Sequence, residues 1–369
     1  MLVRPDGHEA GAWGAGKRAR PYRRCVSLNR APDPGPRPTI ADSAVVIGQV
    51  WLGAGAYLAQ GLVVRSPDGG VRIGNHSAVL ENGTVWGSPA HPTVIGQRTV
   101  FGHRATVLGA TVGNLCEIGN GTILLPGSRL GDGCILGEGT LVPAGMVVPP
   151  DTVLVGRPPH VLRSATDADR ERLAALRDHQ TDLTDHPHQL VTATPDVGAD
   201  MGRLYSYRDK NPVIDPTAVL FDSAEITGDV TVGPDTVIGA GVKIIGDSHG
   251  PVRIGARVQI LANTVLHLLP DNELVVEDDC VIGPGSMIHG CHIGAGTVVE
   301  AGAIVCDWSA VGPGSLVLAG SCVTQRSRFP AGAVLSGFPA TETGHLDAPP
   351  DRPAWAFTAD GLATIVRLR

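Results

Sequence analysis

Residues 112–136 read VGNLCEIGNGTILLPGSRLGDGCIL, and an aliphatic residue returns at every sixth position of this stretch. Glycine often follows the aliphatic residue directly. A six-residue period matches neither the 3.6-residue period of a helix nor the two-residue alternation of a strand. It is typical of a solenoid whose coils have three flat sides. Each side contributes one inward aliphatic side chain, and successive coils stack at strand spacing.

The pattern occurs more than once along the chain. Further series at this spacing are Ile226, Val232, Ile238 and Ile244, then Ile293, Val299, Val305, Val311, Val317 and Val323. One constant shift places Val112 on Ile293 and Leu154 on Leu335, so the repeat is duplicated in tandem. The sequence therefore predicts an all-β solenoid protein with two tandem left-handed parallel β-helix domains and a connecting α-helix.

The repeats also predict how the chain is divided. We expect a disordered basic tail over 1–36, a first β-helix domain over 37–163, a helix and linker over 164–205, a second β-helix domain over 206–345 and a C-terminal extension over 346–369. Residues from Ser164 onward (SATDADRERLAAL) have the polar start and apolar spacing of a capped helix. The extension is predicted to cap or cover the end of a coil.

Composition excludes several classes of protein. The chain has 369 residues, of which 43% are hydrophobic, so it can bury a sizeable core. Its net charge of −7 argues against a general nucleic-acid binder. It contains no apolar run of about 18 residues, so no membrane span is expected. Seven cysteines, an odd number, favour a reduced cytoplasmic protein over a disulfide framework.

The second domain carries a family resemblance. Its opening, NPVIDPTA at 211–218, and the segment IHGCHIG at 288–294 resemble the γ-class carbonic anhydrases. The resemblance covers residues 37–163 and 211–345. It implies a zinc ion held by three histidines at an interface, two from one subunit and the third from its neighbour. The positions that correspond to these ligands are His267, Pro284 and His289 in domain two, and Trp86, His103 and Leu108 in domain one.

Neither copy keeps all three ligands, but together they keep one of each. Counting repeats places His267 and His289 on the same side of the coil, one coil apart, where they can share a metal ion. Pro284 lies on a different side, and His103 occupies that side of domain one. We therefore predict one composite site of His103, His267 and His289 between two domains, with zinc as the metal and iron or cobalt as alternatives.

Other site positions depart from the family. Arg65 stands where the family has an ion-pairing residue near the site, and Glu81 follows Leu80 where it has polar residues. Arg65 and Glu81 are the candidate catalytic groups. Trp86, Leu108 and Pro284 are expected to line a pocket. Because the polar residues that position the metal's water are changed, efficient CO2 hydration is not expected.

The sequence thus predicts a divergent metalloenzyme, a lyase or hydrolase that acts on a small molecule. The expected assembly is a homo-oligomer, either a trimer of two-domain chains or a smaller pseudo-symmetric one. No nucleic-acid or membrane partner is expected. Two alternatives stay open: an inactive scaffold that keeps histidines as relics, and an acyltransferase of the hexapeptide-repeat type. Metal content and coenzyme A binding separate the three.

Overall fold

Two parallel β-solenoids follow each other along the chain. The computed structural model describes residues 35–247 and 250–368, so the predicted basic tail lies outside the described residues except for its last two positions. The strands pair in parallel from coil to coil, and the repeat aliphatic residues, Leu124 and Ile293 among them, point inward and are buried. The predicted fold class, a left-handed parallel β-helix in two copies, is confirmed.

The first solenoid is built from short strands separated by tight turns. They are β1 Thr39–Ile40, β2 Val45–Leu52, β3 Tyr57–Leu58, β4 Val63–Ile73, β5 Ala78–Val79, β6 Thr84–Trp86, β7 Thr93–Ile95, β8 Val100–Phe101, β9 Thr106–Leu108, β10 Thr111–Val112, β11 Glu117–Ile118, β12 Ile123–Leu124, β13 Arg129–Leu130, β14 Ile135–Leu136, β15 Leu141–Val142, β16 Val147–Val148, β17 Thr152–Val155 and β18 His160–Ser164. One side is the sheet β1-β3-β5-β8-β11-β14-β17-β18. The other two sides are joined, because the long strands β2 and β4 continue around a corner.

The connecting segment is more ordered than a linker. It contains α1 Asp167–Ala175, β19 Gln189–Ala193, β20 Asp196–Gly198 and β21 Arg203–Tyr205. Thr166 caps α1 through the amide of Asp169, and the Asp169 carboxylate accepts in return from the Thr166 amide, so the helix starts after the predicted Ser164. Strand β19 pairs with β2, whereas β20 and β21 join the sheets of the second solenoid.

The second solenoid has three separate sides. Its strands and the final helix are β22 Val213–Ile214, β23 Val219–Phe221, β24 Glu225–Gly228, β25 Val230–Val232, β26 Val237–Ile238, β27 Lys243–Gly246, β28 Val252–Ile254, β29 Gln259–Ile260, β30 Val265–His267, β31 Leu274–Val276, β32 Val281–Ile282, β33 Met287–His289, β34 His292–Ile293, β35 Val298–Val299, β36 Ile304–Val305, β37 Ala310–Val311, β38 Leu316–Val317, β39 Cys322–Val323, β40 Arg328–Phe329, β41 Ala333–Gly337, β42 Ala340–His345, α2 Ala359–Ile365 and β43 Arg367–Leu368. Each side takes every third strand along the chain. The first side runs from β20 to β41, with β42 and β43 at its two ends, the second runs from β21 to β39, and the third runs from β22 to β40.

The two solenoids pack against each other through a third apolar cluster, which we call the in-chain contact. It joins the outward face of β6, β9 and β12 in the first solenoid to the outward face of β26, β32 and β35 in the second. At its edge, Asn263 Nδ2 donates to the carbonyl oxygen of Gly83 at 2.8 Å. The C-terminal extension inserts Trp355 and Phe357 into the same cluster, so it covers a side of the solenoid and not a coil end.

The helices are short in this structure. Within the described residues, neither α1 nor α2 is long and apolar enough to cross a membrane.

Candidate metal site

Two histidines meet on one side of the second solenoid. Strands β30 and β33 are parallel neighbours, and their register places His267 directly opposite His289. The Nδ1 atom of His267 lies 3.0 Å from the Nε2 atom of His289, and the ring centroids are 4.9 Å apart. The six-residue repeat creates this pair because equivalent positions of successive coils stack in a column.

A carboxylate stands behind each imidazole. Asp307 Oδ2 lies 2.6 Å from His289 Nδ1, and the Asp307 side chain is only 5% exposed. Its other oxygen accepts from Asn272 Nδ2 at 3.1 Å, which fixes the carboxylate. On the second ring, Asp247 Oδ1 lies 3.4 Å from His267 Nε2. Carboxylates in this position orient metal-binding histidines and raise their basicity.

The carboxylate of Asp307 determines which nitrogen of the His289 ring is protonated. A carboxylate accepts, so the 2.6 Å contact with Asp307 assigns the proton of His289 to Nδ1. His289 Nε2 then presents its lone pair to His267 Nδ1, which lies at hydrogen-bond distance, 3.0 Å. A metal ion bound here would take the place of the proton between the two nitrogens.

The donor set fits a zinc ion. In a tetrahedral site with Zn–N distances of about 2.1 Å, two ring nitrogens stand about 3.4 Å apart. The pair of His267 and His289 therefore needs to open by a few tenths of an ångström only. Among residues 35–247 and 250–368, no group of three or more His, Cys, Asp or Glu side chains is placed to hold a metal ion. The described residues therefore offer two imidazole nitrogens at this place.

His103 lies elsewhere on the molecule. It follows β8 on the first solenoid, where its Nδ1 is 2.9 Å from Asn120 Oδ1 and its Nε2 is 3.1 Å from Glu81 Oε2. Its side chain is 49% exposed. The in-chain contact does not bring His103 to His267 and His289, so the three predicted ligands are not assembled within one chain.

The in-chain contact instead brings together the three ligand-equivalent positions that hold no histidine. Trp86 and Leu108, one column of the first solenoid, meet Pro284 of the second around a cavity of about 20 Å³. Trp86 is 4% exposed and Leu108 is fully buried. A cavity of this size holds about one water molecule. Where the family's ligands would converge between these two domains, apolar side chains fill the space.

Arg65 is buried in this cavity wall. Its guanidinium lies 4.1 Å from the centre of the Phe357 ring and donates to the carbonyl oxygen of Trp355. Within the part of the chain that the structure describes, Arg65 forms no ion pair with a carboxylate. Burial lowers the pKa of Arg65 to about 9. Arg65 therefore holds the C-terminal extension between the solenoids, on a different face from the histidine pair.

Reasoning from the sequence alone missed Asp307. The repeat does locate Asp307, because it lies two residues after Val305, the repeat residue one coil after Ile288. The register makes Asp307 the equivalent of Gly290, so repeat counting places it one coil away from the turn that follows His289.

Comparisons with known proteins agree with this architecture. The family model described as the hexapeptide repeat of succinyl-transferase matches residues 92–126 and 273–306. A carbonic anhydrase of Geobacillus kaustophilus is 35% identical over 111 residues, which are 30% of this chain and 60% of that protein. The carnitine operon protein CaiE of Escherichia coli K12 is 32% identical over 136 residues, which are 37% of this chain and 69% of CaiE.

A solved structure is similar as well. The hexapeptide transferase family protein of Anaplasma phagocytophilum has a TM-score of 0.38 and 27% identity, covering 44% of this chain and 88% of that one. The chain spans 51–60% of the length of the carbonic anhydrases that it matches. By its repeats, its coils and its similarity to CaiE and the carbonic anhydrases, the chain belongs to the hexapeptide-repeat family that includes these proteins.

Proposed function

We propose that this protein is a divergent, zinc-dependent lyase or hydrolase of the γ-carbonic anhydrase type, which acts on a small molecule. The observation that carries the proposal is the pair of facing ring nitrogens of His267 and His289, each backed by a carboxylate. Zinc bound there supplies a Lewis acid that activates water or polarises a carbonyl group. Iron or cobalt suits the same imidazole ligands.

The residues around the pair have separate tasks. Asp307 holds the proton on the outer nitrogen of His289, which leaves Nε2 to bind the metal, and Asp247 places a negative charge 3.4 Å from the outer nitrogen of His267. Glu81 lies beside His103 and is 32% exposed, so it is the carboxylate that can move a proton if His103 joins the site. Leu261 and Ala262 replace the polar residues of the family and pack into the in-chain contact. The proposal therefore excludes efficient CO2 hydration.

Metal content tests the proposal first. Wild-type protein purified without chelator should contain about one zinc ion per chain. His289→Ala should lose it, since one imidazole and the Asp307 contact disappear together. His292→Ala is the matched control, because His292 lies one strand further on, 53% exposed, and pairs with Glu277. Loss of zinc in both variants, or in neither, contradicts the assignment.

Activity separates this proposal from its alternatives. Zinc-loaded wild type should hydrate or hydrolyse a member of a panel of CO2, small esters and lactones, and His289→Ala should be inactive. A protein that contains no metal and has no activity is a scaffold. Saturable binding of coenzyme A by the metal-free protein would favour an acyltransferase and contradict the proposal.

A further inference from the structure

A corner of the second solenoid borders the histidine pair. The carbonyl oxygen of Gly290, the residue after His289, accepts from the Trp308 backbone N–H at 2.7 Å. The carbonyl oxygen of Asp307, whose carboxylate contacts His289, accepts from the Arg326 backbone N–H at 3.1 Å. Trp308 and Arg326 are therefore attached through their backbones to the two residues that shape the histidine site. We call these two side chains the corner platform.

The two side chains of the corner platform are stacked. The Arg326 guanidinium lies 4.7 Å from the centre of the Trp308 ring, which is a cation–π contact. Trp308 is partly exposed and Arg326 is exposed, so a ligand in solution can reach both. Stacking on the indole limits the positions of the guanidinium, and its N–H fork is thereby oriented for an acceptor.

Arg326 has no anionic partner on the protein. Within residues 35–247 and 250–368 it forms no ion pair, whereas Lys243 and Arg253 of the same solenoid each pair with a carboxylate. The nearby Asp307 carboxylate is occupied by His289 and Asn272. A guanidinium left unpaired in a domain with 15 acidic and 7 basic residues is available to an anion from outside.

The first solenoid lacks the corner platform. The shift that superimposes the two domains places Gly127 on Trp308 and Gly145 on Arg326. All four residues have a left-handed backbone, with φ of +76° and +69° at the glycines and +57° and +63° at Trp308 and Arg326. Bulky side chains disfavour this conformation, whereas glycine adopts it freely. Other corners also carry side chains in it, Leu115 among them, so the conformation alone marks no site. What distinguishes this corner is that its large side chains occur in the copy that holds the histidine pair.

The stacking of coils sets the distance between the platform and the pair. His289 ends β33, Trp308 follows β36 and Arg326 follows β39, and these strands belong to successive coils. Coils stack about 4.8 Å apart, so the two ends of this surface are separated by about 10 Å along the solenoid. A small molecule can therefore contact the platform at one end and the histidine site at the other.

We infer that the corner platform binds the carboxylate of a small planar acid and thereby orients the substrate of the histidine site. The carboxylate pairs with the N–H fork of Arg326, and the planar part of the molecule lies along the Trp308 ring. The inference rests on the proposed function and names its substrate class, an aromatic or unsaturated carboxylate. Trp308 and Arg326 are positioning residues and take part in no bond that forms or breaks.

Binding of benzoate tests the inference. Benzoate joins a carboxylate to a planar ring, and benzamide is its neutral counterpart. Zinc-loaded full-length protein should bind benzoate more tightly than benzamide in isothermal titration calorimetry. Arg326→Gln should weaken benzoate binding by about 10- to 100-fold, since a hydrogen bond between charged groups is lost. Arg326→Lys keeps the charge but not the planar fork, so its affinity should lie between the two.

Arg328→Gln is the matched control. Arg328 is exposed on β40 and likewise forms no ion pair in the described part of the chain, but it lies outside the platform. This variant should bind benzoate as the wild type does. Equal losses in both glutamine variants, or benzoate affinity that Arg326→Gln leaves unchanged, would overturn the inference.

Trp308→Gly separates binding from folding. It introduces the residue of the first solenoid, which adopts a positive φ without strain, so the midpoint of urea unfolding should not fall. Benzoate affinity should fall nevertheless, because the guanidinium loses the ring on which it stacks. A variant that binds benzoate as tightly as wild type would show that the indole takes no part, and would overturn the platform.

Cobalt(II) in place of zinc tests whether the platform serves the histidine site. Imidazole binds both metals, and cobalt(II) is paramagnetic. The ring protons of bound benzoate should relax faster in the cobalt-loaded than in the zinc-loaded protein, and Arg326→Gln should abolish this difference. Relaxation that persists in Arg326→Gln would show that benzoate reaches the metal without the platform, and would overturn the inference.

These results separate the two proposals. The benzoate titration is repeated with His289→Ala, which retains Trp308 and Arg326. Protein without zinc that binds benzoate through Arg326 contradicts the proposed function and leaves the carboxylate site. Protein that holds zinc but shows no binding that depends on Arg326 contradicts only the inference about the platform.

Discussion

At the scale of single residues, the site depends on proton positions. His289 can offer Nε2 to a metal only while Nδ1 stays protonated, and Asp307 is the group that keeps it so. The Asp307 side chain is almost fully buried and receives two further donors, the Asn272 amide group and the Leu269 backbone N–H. This carboxylate is therefore fixed before any metal binds.

Replacing the charge of Asp307 should weaken metal binding. Asp307→Asn keeps an acceptor for Asn272 but makes a poorer partner for the His289 ring, so we expect zinc affinity to fall by about 10- to 100-fold. Chelator competition measures the dissociation constant. Asp279→Asn is the control, since Asp279 pairs with Arg257 away from the histidines. Equal affinity in wild type and Asp307→Asn would contradict the role assigned to this carboxylate.

Replacing Arg65, in contrast, should leave zinc binding unchanged. It is a buried cation without a carboxylate partner in the described residues, and it contacts Phe357 and Trp355 and not the histidine pair. Arg65→Met keeps most of the packing volume and removes the cost of burying the charge. We expect stability to change by less than about 2 kcal/mol and zinc content not to change. Loss of zinc in this variant would contradict this expectation and show that Arg65 supports the metal site.

At the scale of elements, one turn holds the site together. Gly290 follows β33 with a φ of +37°, and a Cβ atom there would lie 2.0 Å from Asn272 Nδ2 and 2.4 Å from Asp307 Oδ1. The turn therefore requires glycine for contact reasons as well as for its backbone conformation.

Gly290→Ala should displace Asp307 and lower zinc affinity, in addition to a cost of about 1 kcal/mol in unfolding free energy from backbone strain. The control is Gly145→Ala, because Gly145 has a φ of +69° but no atom within 4 Å of an added Cβ. It should lose stability without losing zinc. If both variants bind zinc as the wild type does, the turn does not support the site.

Helix α1 provides a prediction that depends on pH. The Arg163 guanidinium and the Thr166 amide lower the pKa of Asp169, whose side chain is 6% exposed. A lowered pKa means that the ionised form stabilises the folded helix at neutral pH, and that this contribution is lost as pH falls below the usual carboxyl range near 4. Proteolysis after the exposed Leu176 should be faster in Asp169→Asn than in wild type at pH 7, and the difference should shrink toward pH 3. A difference that grows on acidification would contradict this sign.

At the scale of the whole molecule, the C-terminal extension joins the solenoids. The Phe357 ring stacks on Phe221 with centroids 5.7 Å apart, and its backbone forms two 2.8 Å hydrogen bonds with Gln259. Phe357→Ala should destabilise the in-chain contact by about 3 kcal/mol in urea unfolding. Phe338→Ala, at a residue 60% exposed, should have an effect below about 0.5 kcal/mol. Similar losses in both would show that the extension does not hold the contact.

The sequence predicts the interior of each coil better than the contact between the two solenoids. Leu124 and its equivalents follow one rigid period, so the coils and the column of His267 and His289 can be counted from the chain alone. The in-chain contact follows no period. It depends on outward residues such as Val281 and on Phe357, which is distant in sequence and outside the repeat. Which faces meet, and hence where His103 lies relative to the pair, required the structure.

The most direct test of the metal site is an anomalous difference map at the zinc edge from crystals of the zinc-loaded protein. The account predicts a peak between His267 Nδ1 and His289 Nε2, about 2.1 Å from each. A zinc peak elsewhere, and none between these two nitrogens, would contradict it.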